Sequence, residues 1–245
     1  MLLRPPVTGS EAGAAVDRSE DAAAIRASVS VALAVAAYGV SFGALSVAAG
    51  LDVWQTCVLS LLMFTGGSQF ALVGVLAAGG TAAGPAAIAS AVLLGMRNSL
   101  YAMRMNPIVG GPWWRRLLAA QLTIDESTAV GTAQPTLRAQ RIGFWVTGIG
   151  IYLGWNLTTL AGALLGDLVG DVRQYGLDAA AAAAFLGLLW PRLKTRQPVA
   201  VAIAAAVVAA VLTPWLPPGI PVLAAAAVAI VAGLTNALGA KGESR

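Results

Sequence analysis

The 245-residue chain has no histidine and a single cysteine, Cys57. Without histidine there is no His-based zinc site, no imidazole ligation of haem and no imidazole proton relay. With one cysteine, set in an apolar run, there is no intrachain disulfide and no Cys-rich metal centre. Charge is scarce as well. Charged residues make up 11% of the chain, whereas soluble domains carry about a quarter. No formal charge stands between Asp52 and Arg97. There is no P-loop, so the chain has no ATPase of its own. No nucleophile-base arrangement emerges either, so neither an enzyme nor a cofactor is expected.

What is abundant is apolar length, with 58% of residues hydrophobic. A hydrocarbon core about 30 Å thick takes roughly 20 apolar residues per helical crossing. The expected fold is therefore all-α: a polytopic helical protein of the lipid bilayer with about six to seven spans. Helices are required because open strand edges cannot be satisfied in lipid. The net charge of +4 comes from Lys and Arg at segment ends. It forms no basic stripe with interleaved aromatics, so no nucleic-acid partner is expected.

Residues 1–27 mix Pro, Gly, Ser, Ala and both signs of charge and read as a mobile polar tail. Residues 28–240 read as one membrane domain, and 241–245 as a cytoplasmic tail. The expected spans run from Ser28 to Gly50, Trp54 to Gly80, Pro85 to Tyr101, Ile142 to Gly166, Leu177 to Trp190, Pro198 to Trp215 and Ile220 to Leu238. The second is interrupted at Gly66-Gly67 and is expected to be broken or re-entrant. Between the third and fourth lies segment 104–141, with five arginines, two carboxylates, three prolines and Trp113-Trp114. It reads as an interfacial loop carrying an amphipathic helix, with Arg115-Arg116 at headgroup depth. Its arginines, together with Arg192, Lys194, Arg196, Lys241 and Arg245, are mutually consistent if all three regions are cytoplasmic. Asp167 and Asp171 then face outward, and the side of the N-terminus stays open.

The stretch Phe64-Thr65-Gly66-Gly67-Ser68-Gln69-Phe70 sits inside the uncharged run. Two adjacent glycines lower helix propensity by about 1 kcal/mol each, and a glutamine in hydrocarbon must find partners. Two readings compete evenly. In one, a helix break exposes backbone groups which, with Thr65, Ser68 and Gln69, grip a polar solute. In the other, small residues let helices approach and Ser or Gln bonds across the interface. Gly39-x-x-x-Gly43, Gly150-x-x-x-Gly154 and Gly162-x-x-x-Gly166 read as packing motifs. Asn156, between the last two, reads as an interhelical bond or a pathway group. Arg97, Tyr101 and Arg104 share one helix face. Arg97 either snorkels to headgroups or anchors a carboxylate. Asp125 and Glu126 belong to a solvated helix face, or one of them carries a proton or pairs with Arg97. Gly43-Ala44-Leu45 is echoed by Gly162-Ala163-Leu164, followed in both cases by a Leu-Asp pair and Phe-x-Gly. A duplicated ancestry and simple Ala-Leu-Gly bias both account for it.

Taken in order, YGVSFGALSVAAGL, FTGGSQFALVG, RNSLY and TIDES resemble the AzlC family of bacterial branched-chain amino acid export permeases. Where the family pattern has an asparagine before the arginine and often a histidine after it, this chain has Gly95 and Asn98. Thr128 replaces an aromatic residue after the Asp-Glu-Ser. The resemblance implies an inner-membrane permease that exports the branched-chain amino acids leucine, isoleucine and valine, with methionine as a further candidate, together with a small AzlD-type membrane subunit. On the transport reading, the candidate substrate-binding residues are Thr65, Gly66, Gly67, Ser68, Gln69, Arg97, Asn98, Tyr101 and Asn156. Asp125 and Glu126 are the candidate coupling residues, and the lack of a P-loop makes an ion gradient the expected energy source. A membrane scaffold that only holds a partner is the competing class.

Overall fold

The computed structural model describes residues 9–169, 186, 189–190 and 193–235. Among these residues the secondary structure is helical, with no strand. Helix α1 (Gly9–Ala48) and helix α8 (Leu137–Val169) are the long rods. Val16–Ala48 and Leu137–Val169 are each long and apolar enough to cross a membrane. Between them run α2 (Val53–Leu62), α3 (Gly67–Gly79), a 3-10 turn (Gly80–Ala83), α4 (Gly84–Gly95), α5 (Arg97–Val109), α6 (Trp113–Leu122) and α7 (Asp125–Thr132). After α8 come α9 (Arg196–Leu212) and α10 (Ile220–Thr235). The chain is an all-α membrane protein.

The polar segment expected as a mobile tail is helical from Gly9, as the start of α1. Its alanines and charged residues are good helix formers. It is also tied down, since Thr136 Oγ1 donates to Glu20 Oε2 at 3.0 Å and Arg138 pairs with Asp21 at 2.6 Å. Segment 104–141 is likewise not a loop. It forms the end of α5, then α6 and α7, with Gly110 and Gly111 at positive φ turning the chain between α5 and α6. The amphipathic helix expected there is α6, on which Trp113 and Trp114 are exposed. The third expected span is two helices, although Met96 between them keeps helical dihedrals (φ −55°, ψ −29°). The expected fifth span, Arg192, Asp171, the end of the seventh span and the 241–245 tail, apart from Leu186, Leu189 and Trp190, lie outside the described residues.

The chain divides into two compact units, one from residues 1–40 and 97–158, the other from 41–96 and 159–245. In the first, α1 and α8 run parallel. Ser28 Oγ donates to Gly143 O at 3.3 Å, and Thr158 Oγ1 donates to Ala36 O at 2.6 Å. A Cβ added at Gly150 would meet Ala32, one at Gly154 would meet Ala36, and one at Gly39 would meet Thr158. In the second unit the same pairing continues, with Gly43 against Thr159 and Ala163 and Gly166 against Ala44. The small-residue motifs are thus packing motifs, as their spacing indicated.

In the second unit α3 and α4 form an antiparallel hairpin. Its two open ends meet, because a Cβ at Gly95 would lie 3.3 Å from Ser68 Oγ. With 13 and 12 residues, each arm is about 20 Å long, and the run Gly67–Val109 that contains both is a third stretch long and apolar enough to cross a membrane. Val75, Ala83, Ala86 and Ala87 form the hairpin's core, with Leu223 of α10 packed on it. Outside the cores the rods are apolar and open, as Leu33, Leu153, Leu157 and Leu168 show. That is the surface a lipid solvent permits.

Gly43→Ala places a methyl within 3 Å of the Ala163 backbone nitrogen, at 2.6 Å before relaxation. The expected effect is a loss of about 1–3 kcal/mol, seen as a lower thermal unfolding midpoint in detergent. Gly84→Ala, whose added methyl meets nothing within 4 Å, serves as the control and leaves the midpoint in place.

Candidate functional site

Two polar assemblies lie inside the apolar fold, one in each unit. The first is the break between α2 and α3. Asp52 starts α2 with a capping box: Gln55 N–H donates to Asp52 Oδ1 at 2.6 Å, and Asp52 N–H donates to Gln55 Oε1 at 3.0 Å. The helix ends at Leu62, and Met63 leaves helical space at φ −104°, ψ 58°. Gly66 takes φ 60°, ψ −85°, a conformation that an L side chain rarely adopts. The chain then re-enters a helix at Gly67. Gln69 reaches back so that its Oε1 accepts from Gly66 N–H at 3.1 Å, and Phe70 N–H closes the first turn onto Gly66 O at 3.2 Å.

The side chains at this restart are deeply enclosed. Gln69 is 0% and Ser68 1% exposed, with Phe64 and Phe70 also buried. Phe70 packs edge-on against Phe42, with ring centroids 5.7 Å apart. Yet Gln69 Nε2, Ser68 Oγ and Thr65 Oγ1 are buried with no hydrogen-bond partner among the described residues. Each such group costs about 1–3 kcal/mol, and native proteins keep few of them. Among the described residues, neither Ser68 nor Gln69 bonds across a helix interface. Thr56 Oγ1 and Ser90 Oγ, on α2 and α4 of this unit, are two more buried hydroxyls without partners among the described residues. Sequence reasoning missed both, because a lone hydroxyl in an apolar helix carries no spacing signal.

The second assembly is built by TIDES at the entry to α7. Thr123 Oγ1 donates to Ala119 O at 2.6 Å, closing α6. Ser127 Oγ is fully buried; it accepts from Ile124 N–H at 3.1 Å and donates to Leu122 O at 2.6 Å. This fixes the turn and puts Asp125 and Glu126 in the first turn of α7, where the positive end of the helix favours carboxylates. Arg97, at the start of α5, meets Asp125 Oδ2 at 3.0 Å, with the two side chains 24% and 20% exposed. Arg97 Nε and Asn98 Oδ1 are buried without hydrogen-bond partners among the described residues. Tyr101 and Glu126 are half-buried nearby in sequence, while Arg104 is exposed. Arg97 therefore does not simply snorkel outward. It is held by an acid.

Asn156 departs from the interhelical bond considered for it. Its Nδ2 donates to Tyr152 O at 2.7 Å within its own helix, and its Oδ1 is buried without a partner among the described residues. Arg141, not singled out by sequence, donates from Nε to Ile108 O at 2.7 Å and so caps the end of α5. A cavity of about 400 Å³ beside α5 and α6 is lined by Ser99, Met103, Asn106, Arg116 and Thr123 among others, and by none of the sequence candidates. Thr65, Gly66, Gly67, Ser68 and Gln69 thus fall together in one unit. Arg97, Asn98, Tyr101, Asp125, Glu126 and Asn156 fall in the other.

A family model described as AzlC protein matches residues 30–169, more than half of the chain and a range holding both assemblies. No curated protein and no solved structure matches the chain.

Arg97→Gln leaves Asp125 without its cation in a site four-fifths enclosed, and Asp125→Asn does the converse. Losing one partner of a buried pair costs up to about 3–5 kcal/mol, so each single variant is expected to unfold at a lower temperature. The double variant, with two neutral amides, is expected to recover part of that loss. Strict additivity in the double-mutant cycle would show that the pair is not coupled.

Proposed function

Because the chain belongs to the AzlC family, a family of membrane transport proteins, we propose that it is a secondary-transport permease exporting branched-chain amino acids across the bacterial inner membrane. Leucine, isoleucine and valine are the expected substrates, with methionine as a further candidate. The observation that carries this reading is the restart of α3, where Gln69 Nε2, Ser68 Oγ and Thr65 Oγ1 are buried and unused. Groups of this kind are held in a membrane protein when a passing polar solute completes them. The apolar faces of Phe64 and Phe70 and the surrounding Leu, Val and Ala side chains suit an aliphatic substituent.

The Arg97–Asp125 pair supplies a second element. A carboxylate held by an arginine is a group that can exchange partners, and Asp125, with Glu126 beside it, is the natural proton carrier or gate. With no P-loop, an ion gradient is the energy source. The small AzlD-type subunit implied by the family resemblance is the expected partner. Segment 104–141 and the C-terminal residues 241–245 are proposed to face the cytoplasm, in keeping with their arginines and lysine.

Gln69→Ala, inserted at normal level, is expected to cut efflux of radiolabelled leucine from preloaded vesicles by ~10-fold or more, as loss of a hydrogen bond to a charged group does. Undiminished efflux would remove Gln69 from the mechanism. Undiminished efflux combined with weaker recovery of a small membrane subunit would identify a scaffold instead.

A further inference from the structure

We propose that the N-terminus of α3 is the carboxylate subsite of the transported zwitterion, an assignment that rests on the transport reading above and fixes which end of the solute binds there. The argument is an inventory of hydrogen-bonding groups. The first turn of a helix has backbone N–H groups without intrahelical acceptors. At α3 these belong to Gly67, Ser68 and Gln69, because Gly66 N–H is already given to Gln69 Oε1. That same bond settles the orientation of the Gln69 amide. Its only acceptor is engaged by the backbone, so Nε2, a donor, is the free end. Ser68 Oγ, 1% exposed and without a partner among the described residues, can donate as well. The unspent groups at the helix start are donors, or can act as donors, and the ligand atom facing them must accept.

Electrostatics points the same way. The start of α3 carries the positive pole of its helix, equivalent to about half an elementary charge. No lysine or arginine occurs between Asp52 and Arg97, so the site suits one carboxylate and not a multiply charged phosphate. An ammonium group would face donors and a like-signed pole. Arg97, the other carboxylate anchor suggested by the sequence, is already neutralised by Asp125 at 3.0 Å.

There is also room. A Cβ built on Gly66 meets nothing within 4 Å, so open space adjoins the restart. Gly95 keeps the Ser68 hydroxyl free, since a Cβ there would press to 3.3 Å from it. Gly95 is therefore a positioning residue for this subsite.

The test is binding of radiolabelled leucine to the full chain in lipid nanodiscs, with two competitors. 4-Methylpentanoate keeps the carboxylate and lacks the amine; leucinamide keeps the amine and lacks the carboxylate. The wild-type protein is expected to release leucine to 4-methylpentanoate, with leucinamide at least ~10-fold weaker. Gln69→Glu, nearly isosteric but anionic, is expected to weaken leucine ~10-fold or more and to raise affinity for leucinamide. Leucine binding displaced equally by both competitors, or unchanged leucine affinity in a folded Gln69→Glu protein, overturns the subsite alone. Absence of leucine binding to the wild-type chain overturns the transport reading and the subsite with it. The competition on the wild-type protein stands even if the variant does not fold.

Discussion

In hydrocarbon every backbone N–H and C=O must be satisfied from within the protein, and the rest of this structure follows from where that demand is met and where it is not. Along α1 and α8 it is met without interruption for 40 and 33 residues. Between α2 and α3 it is suspended. The suspension is local because each end is repaired as far as local chemistry allows. Met63 N–H still bonds Leu59 O, Gly66 N–H takes the Gln69 amide oxygen, and Phe70 N–H closes onto Gly66 O. What is left over is a small set of buried donors. A break that satisfied itself completely would have no affinity for a solute, and one that satisfied nothing would not survive in lipid.

The two long rods meet that demand differently. Their contact is made of Gly, Ala, Ser and Thr, so backbones approach closely and hydroxyls reach the neighbouring carbonyls, as Thr158 does to Ala36 and Ser28 to Gly143. Packing and interhelical hydrogen bonds are what association in a bilayer can draw on, since lipid tails remove the usual hydrophobic drive. The TIDES turn works on another scale. Ser127 ties two carbonyls and an amide together so that Asp125 leaves the turn already aimed at Arg97. A charge pair of this burial is a poor source of stability. Its presence in a chain so short of charge fits a group retained for what it does.

Much of this was legible in the residues. The uncharged run from Asp52 to Arg97 announced helices in lipid, and Gly66-Gly67 within it announced the break. The glycine spacings on α1 and α8 announced close packing. The polar start of α1 misled because its composition resembles a linker, while its order came from Thr136 and Arg138, more than a hundred residues away in sequence. Segment 104–141 misled for a related reason. Its prolines and glycines signal turns, and the structure uses Gly110 and Gly111 as turns, but short helices fill the intervals. The side-chain roles were least legible. Whether Asn156 bonds to its own helix or to a neighbour, and whether Arg97 meets an acid or headgroups, depends on long-range approach that no local spacing encodes.

The echo of Gly43-Ala44-Leu45 in Gly162-Ala163-Leu164 acquires a physical meaning from the same packing. A Cβ at Gly43 would run into the backbone at Gly162 and Ala163, and one at Gly166 would run into Ala44 and Val47. Gly43 thus faces Gly162 and Ala163 across two parallel helices, and Ala44 faces Gly166, whereas Leu164 is exposed and Leu45 buried. A contact of this kind requires small residues from both sides at one level, so each helix needs a glycine and an alanine where the other has them. Self-complementary packing therefore accounts for the repeated Gly-Ala pair by itself. Shared ancestry of two halves would have to be argued from features that the α1–α8 contact does not already demand, and the Phe-x-Gly of the second half, which would be the decisive one, falls outside the described residues apart from Leu186.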